Sequence, residues 1–173
     1  MTIKFYRTTE EYGCFSNFSR HPVRFGVDVF MTSEHFFQQA KFSTTDKEWA
    51  AQIIAAKTPS QCATMGRDRS HPLRSDWEII KDDVMRTALV AKFTQNKDCK
   101  EKLLSTGDQY LIEDTTDDYY WGTGITGTGK NKLGLLLMEV RLALHTDTIN
   151  QYLDWITKRL SATSVVQNPV ETP

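Results

Sequence analysis

The chain lacks any apolar run approaching the ~18 residues that a membrane span requires, and Met1-Thr-Ile-Lys-Phe-Tyr6 has neither the charged nor the apolar region of a signal peptide. A cytoplasmic location is expected. There is no excess of charge of one sign: 21 Lys and Arg stand against 22 Asp and Glu, a formal net charge of -1. No global basic field therefore draws the chain to nucleic acid or membrane, and any nucleic-acid contact is local. Cysteine is scarce: Cys14, Cys62 and Cys99 are widely spaced and form no C-x-x-C pair. That spacing excludes the usual zinc and redox motifs and leaves reduced thiols. No internal repeat occurs, and His35 beside Glu34 has no second ligand at i+4, so a structural or solvent-facing histidine is read there. No metal and no cofactor are called for.

What is present is the composition of a soluble globular protein, with 25% charged and 11% aromatic residues in 173. That length supports one hydrophobic core and is short for two domains. Ile3 and Phe5, and more weakly Val27 and Val29, alternate with polar or small residues and predict a small β element near the N-terminus. Helical spacing dominates elsewhere, predicting helices over 33–42, 47–56, 58–65, 76–93, about 99–104 and 132–145. Ile149, Leu153, Ile156 and Leu160 form a last amphipathic face. The expected architecture is mainly α, α+β at the margin, with one domain over 1–160 and a disordered tail over 161–173.

Two stretches carry chemistry. Residues 119–141 read YYWGTGITGTGKNKLGLLLMEVR, four glycines in eight positions handing over directly to an apolar helix. Gly122, Gly124 and Gly127 satisfy G-x-G-x-x-G, and 124–130 satisfy most of a P-loop. Neither match follows a buried strand, and Asn131 stands where a P-loop needs Ser or Thr for magnesium. The segment reads instead as an anion or sugar cradle at a helix N-terminus. The second stretch, 33–42, sets Glu34, Gln38 and Lys41 on one face of a helix. Glu34 and Lys41 lie about 10 Å apart along its axis, too far for a simple ion pair and suited to flanking a ligand. A solvated charged face is the commoner fate of such residues, but Phe36, Phe37, Ala40 and Phe42 leave little of this helix for solvent, so at least one of the charged groups is expected to be half buried; burial raises a carboxyl pKa and lowers that of an amine. Those are the states of a general acid and an amine nucleophile.

Phe15-Ser-Asn-Phe18, Thr32-Ser-Glu-His-Phe-Phe-Gln38 with Lys41-Phe42, Met65-Gly-Arg-Asp-Arg-Ser70 with Pro72-Leu-Arg74 and Trp77, Asp118 with Tyr120-Trp-Gly122, and 127–141 together resemble the NADAR (NAD and ADP-ribose) family, also called YbiA-like. The resemblance spans about 3–145. It implies a mainly helical fold and cleavage of an N-glycosidic bond to ribose. The implied substrates are ADP-ribose on guanine bases, in DNA or a nucleotide, or early phosphoribosylamino intermediates of riboflavin synthesis. Such chemistry places positive charge on the sugar and negative charge on the leaving nitrogen. Glu34 is the expected acid/base group. Lys41 is expected as a Schiff-base nucleophile on the ring-opened C1′ carbon, a route the resemblance suggests, or as a phosphate ligand. Asp118 holds ribose hydroxyls, steadies the cation or caps a turn. Trp121 stacks on a base or packs in the core, and Trp77 fits a core stripe. Arg67 and Arg69 are candidate phosphate ligands, or partners of Asp68 or a neighbouring acid. Gly122 and Gly124 admit close backbone approach, Asn131 caps the following helix or binds substrate, and Asn17 and Phe18 are assigned to the pocket by the resemblance. A non-catalytic module that binds ADP-ribose or NAD is the alternative function.

Overall fold

A computed structural model describes residues 1–166 of the chain. Among the described residues, seven α-helices are arranged about the longest of them. Local chemistry sets the early boundaries. Helix α1, Ser33–Ala40, starts where the Thr32 hydroxyl accepts the His35 N–H; α2, Lys47–Ile54, where the Asp46 carboxylate accepts the Trp49 N–H; and α3, Pro59–Met65, where Thr58 caps Gln61 ahead of a proline at the first helical position. Helix α4, Trp77–Gln95, is the centre: Trp77, Ile80, Val84, Ala88, Leu89 and Ala91 are all buried. It packs against α1, against α5 (Lys97–Ser105), against α6 (Lys132–His145) and against α7 (Ile149–Val166). Helix α7 continues past Leu160 to Val166, so the break expected at 161 falls inside a helix; 167–173 lie outside the described residues. No helix among the described residues is long and apolar enough to cross a membrane.

The β component among the described residues is two separate pairs. Strand β2, Val23–Phe25, and β3, Asp28–Phe30, form a hairpin with Phe25 opposite Asp28. Gly26 turns it at φ +59°, the region a hairpin turn requires. Val27, expected on the strand, lies in this turn and is 97% exposed. Strand β1, Thr2–Phe5, pairs in parallel with β4, Tyr110–Glu113, which the sequence pattern does not announce. Helix α6 lies directly on β4. A Cβ at Gly134 would fall on the Leu111 carbonyl oxygen and the Asn131 amide. Gly134→Ala should therefore lower stability by about 1–3 kcal/mol despite alanine's better helix propensity. Urea unfolding measures this, and an unchanged midpoint would refute so tight a contact.

Candidate active site

A cleft of about 860 Å³ opens between α1, the loop after β1, the 16–18 segment and the chain leaving β4. That volume suits a nucleotide-sized ligand. Of the expected residues, Asn17, Phe18, Glu34, Lys41, Arg67, Asp118 and Trp121 line it. Tyr6, Arg7, Thr8, Thr9, Glu113 and Thr115 line it too, and sequence reasoning did not single them out. The 6–9 loop and Glu113 to Asp118 reach the cleft because β1 and β4 end side by side.

Glu34 and Lys41 sit at opposite ends of α1, both buried. No ion pair joins them among the described residues. Gln38 Nε2 donates to Glu34 Oε1 at 2.7 Å, and Lys41 Nζ donates to the Gly66 carbonyl at 3.2 Å. Lys41 Nζ also lies 5.5 Å from the Phe37 ring centre and 5.7 Å from that of Trp77. Burial raises the Glu34 carboxyl above the usual range, against the Gln38 hydrogen bond and the charges of Lys41 and Arg67. Burial likewise brings Lys41 down to about 8, with Glu34 pulling it up and Arg69 and Arg67 pushing it down. A lysine at that value supplies free amine near neutral pH.

Asp118 is a turn aspartate as well as a wall residue. Its Oδ1 accepts the N–H groups of Tyr120 at 2.8 Å and Trp121 at 2.7 Å, which fixes the Trp121 ring. That ring meets Phe37 edge to face at 5.3 Å, so Trp121 is both core-packed and cleft-lining. Trp77 is buried against Phe37, and His35 is structural, bonded to Thr32 and to the Ala56 carbonyl. Asn17 lines the cleft but spends its amide on Ser33 Oγ and Met85 Sδ, while Phe18 stands 38% exposed at the rim. Arg67 is exposed, and among the described residues it has no carboxylate partner; Asp68 is bonded to Ser70 instead. Arg69 is not on the cleft wall and donates to the Gly66 carbonyl at 3.2 Å, sharing that acceptor with Lys41.

The glycine segment differs from the cradle expected. Asn131 N–H donates to the Gly122 carbonyl, Lys132 N–H to Tyr120 and Leu133 N–H to Trp121, so the loop's own carbonyls occupy the start of α6. Gly122 presses on Thr115 and the Glu113 carbonyl, and Gly124, at φ +63°, packs beneath Tyr119. Asn131, left-handed at φ 49°, accepts the Glu113 N–H and donates to the Leu111 carbonyl. These three residues sit behind the cleft and brace β4 and Trp121; a helix N-terminus already occupied by carbonyls has little left for an anion.

Of the lining residues not singled out above, Glu113 is set apart by its buried carboxyl. Its Oε2 is buried without a hydrogen-bond partner. Burial, then the nearby Asp118 and Glu34, pushes its carboxyl up to about 8. Away from the cleft, His21, Asp98 and Cys99 bring one potential ligand atom each within 4.8 Å of one another. Lys92 is buried beside Cys99, Cys14 and Asp98, and its ammonium competes with any cation there.

The fold is a single mainly helical domain whose cleft brings carboxyls, a buried amine and an aromatic wall together. Comparison with known proteins makes the assignment specific. The chain belongs to the NADAR family, whose domain model matches residues 4–145. It is 48% identical over 139 residues to "N-glycosidase YbiA" of Escherichia coli K12, covering 80% of this chain and 86% of that protein. The NMR structure of E. coli YbiA superposes with a TM-score of 0.78 at 45% identity, over 86% of this chain and 89% of that one. "Riboflavin biosynthesis protein PYRR, chloroplastic" of Zea mays is 39% identical over 152 residues, 80% of this chain but 24% of the maize protein.

Proposed function

We propose that the cleft hydrolyses the bond between C1′ of a phosphorylated ribose and a nitrogen, with ADP-ribose on guanine, in DNA or a nucleotide, as the first substrate and a phosphoribosylamino intermediate of riboflavin synthesis as the second. One observation carries this reading: a buried carboxyl, Glu34, and a buried amine near pKa 8, Lys41, face one open cleft from a single helix. A module that only binds its ligand gains nothing from desolvating both groups, and desolvation is costly. The names of the E. coli relative, an N-glycosidase, and of the maize relative, a riboflavin biosynthesis protein, support the bond type and the second of these substrates.

In the proposed reaction Lys41 adds to C1′ as the base nitrogen departs with a proton. The sugar opens to an imine on Lys41, and water hydrolyses that imine to free sugar and amine. Glu34 serves as the acid/base group for the amine and the water. Asp118 steadies the cationic sugar, Arg67 at the rim takes phosphate, and Trp121 and Phe18 offer faces to the base. Gly122, Gly124 and Asn131 act indirectly, by holding that wall, and Arg69 acts by depressing the charge on Lys41.

The test is a panel of ADP-ribosylated guanine DNA, free ADP-ribosyl-guanosine and the phosphoribosylamino pyrimidine, followed by mass spectrometry. Release of the sugar phosphate from at least one is expected. Tight ADP-ribose binding with no release from any would make the cleft a binding module and overturn the proposal.

A further inference from the structure

A C1′–N bond breaks by leaving its electron pair on nitrogen, and a base nitrogen departs slowly unless a proton meets it. Four carboxyls line this cleft, Glu34, Glu113, Asp117 and Asp118; Asp117 is exposed, and the hydrogen bonds of the other three are not equivalent. Glu34 accepts from the Gln38 amide, and Asp118 accepts two backbone N–H groups at one oxygen. Both are thereby held as acceptors, the role of a carboxylate. Glu113 differs: its Oε2 is buried, receives no donor, and has the other two acids as its charged neighbours. When acids share a site, the one without donors keeps the proton.

We infer that Glu113 is the proton donor to the departing nitrogen, a role that rests on the N-riboside reading above. The backbone places it for such a task. Its N–H donates to Asn131 Oδ1 at 2.9 Å, its carbonyl accepts from Thr115 and Thr123, and its strand is paired with β1 at Phe5. A carboxyl mounted on so constrained a strand end keeps its position through a reaction. Its value near 8 keeps it protonated at neutral pH. In the step, the Glu113 O–H bond breaks, the proton goes to the leaving nitrogen, the C1′–N pair stays on that nitrogen, and C1′ takes the Lys41 lone pair. Glu113 is left as a carboxylate and regains its proton from the water that hydrolyses the imine. Glu34 is then free to work as the base.

Phosphoribosyl arylamines of graded leaving-group basicity test this with Glu113→Gln and Glu113→Asp. Wild-type rates should vary little across the series and fall above about pH 8 as Glu113 ionises. Glu113→Gln should lose about 10²–10⁴-fold on the most basic amine, least on the most electron-poor, and should lose the alkaline fall. Glu113→Asp should keep that fall at reduced rate. The folded pKa lies above the unfolded one, so ionisation of Glu113 penalises the fold as pH rises toward 8; the Gln variant should melt no lower than wild type there. Wild-type leaving-group dependence and alkaline fall in Glu113→Gln would overturn the proton donor alone. Wild type that cleaves none of the amines would overturn the N-riboside reading itself.

Discussion

Glu34→Gln is expected to lower kcat/KM by about 10²–10⁴-fold, the usual worth of a positioned acid/base group, with the fold preserved. The substitution is nearly isosteric, and the new amide oxygen can still accept from Gln38, as Glu34 Oε1 does at 2.7 Å. What it removes is a charge that the interior disfavours. Burial raises the folded-state pKa of Glu34 above its unfolded value, so the native state binds the proton more tightly and loses stability as pH climbs past the ordinary carboxyl range. The amide escapes that penalty, and the variant should melt at or above the wild-type temperature at neutral pH. Turnover and melting are thus expected to move in different directions. Wild-type turnover in Glu34→Gln would remove the residue from the mechanism, while a melt well below wild type would give it a structural role.

Borohydride added during turnover should fix the substrate's sugar phosphate on Lys41, visible as a mass gain on the peptide carrying that residue and absent from Lys41→Arg. Lys41→Ala should lose at least as much activity as the Glu34 variant. The pH dependence separates nucleophile from phosphate ligand. With a value of about 8, roughly a tenth of Lys41 is free amine at pH 7, so a nucleophile predicts a rate rising close to tenfold from pH 6 to 7. A phosphate ligand needs the ammonium and predicts the opposite slope. The surroundings favour the amine: Lys41 is buried against Phe37 and Trp77, whereas Arg67, exposed at the rim, is better placed for a dianion. No adduct, with binding lost in Lys41→Ala, would transfer Lys41 to the phosphate.

Much of this arrangement is legible along the chain because helices announce themselves locally. Trp77, Ile80, Val84, Ala88 and Ala91 repeat at helical spacing, and α4 follows from that alone. The Thr32, Asp46 and Thr58 caps mark where α1, α2 and α3 begin. Glu34 and Lys41 share a face for the same local reason. Strand β4 is four residues long and owes its conformation to a partner at the far end of the chain. Glu113, at its last position, was invisible for that reason. The glycine segment misled in an instructive way: freedom of its backbone was legible, but whether the α6 N–H groups were available depended on the return path of 119–123, which no periodicity encodes. Asn17 and Asn131 illustrate the same limit, since a polar side chain near a site is a ligand only if no backbone group has claimed it first.

The parallel pairing of β1 with β4 also sets when the cleft is completed. During synthesis Glu34 and Lys41 emerge early on a helix that forms from local contacts, but the wall that faces them arrives only with Glu113, Asp118 and Trp121. Until β4 returns to zip against the first strand, the amine has no enclosing cleft. A nascent fragment ending before Tyr110 would carry Glu34 and Lys41 without the wall that faces them. On the proposed mechanism, the site is complete only once the first strand and β4 have paired.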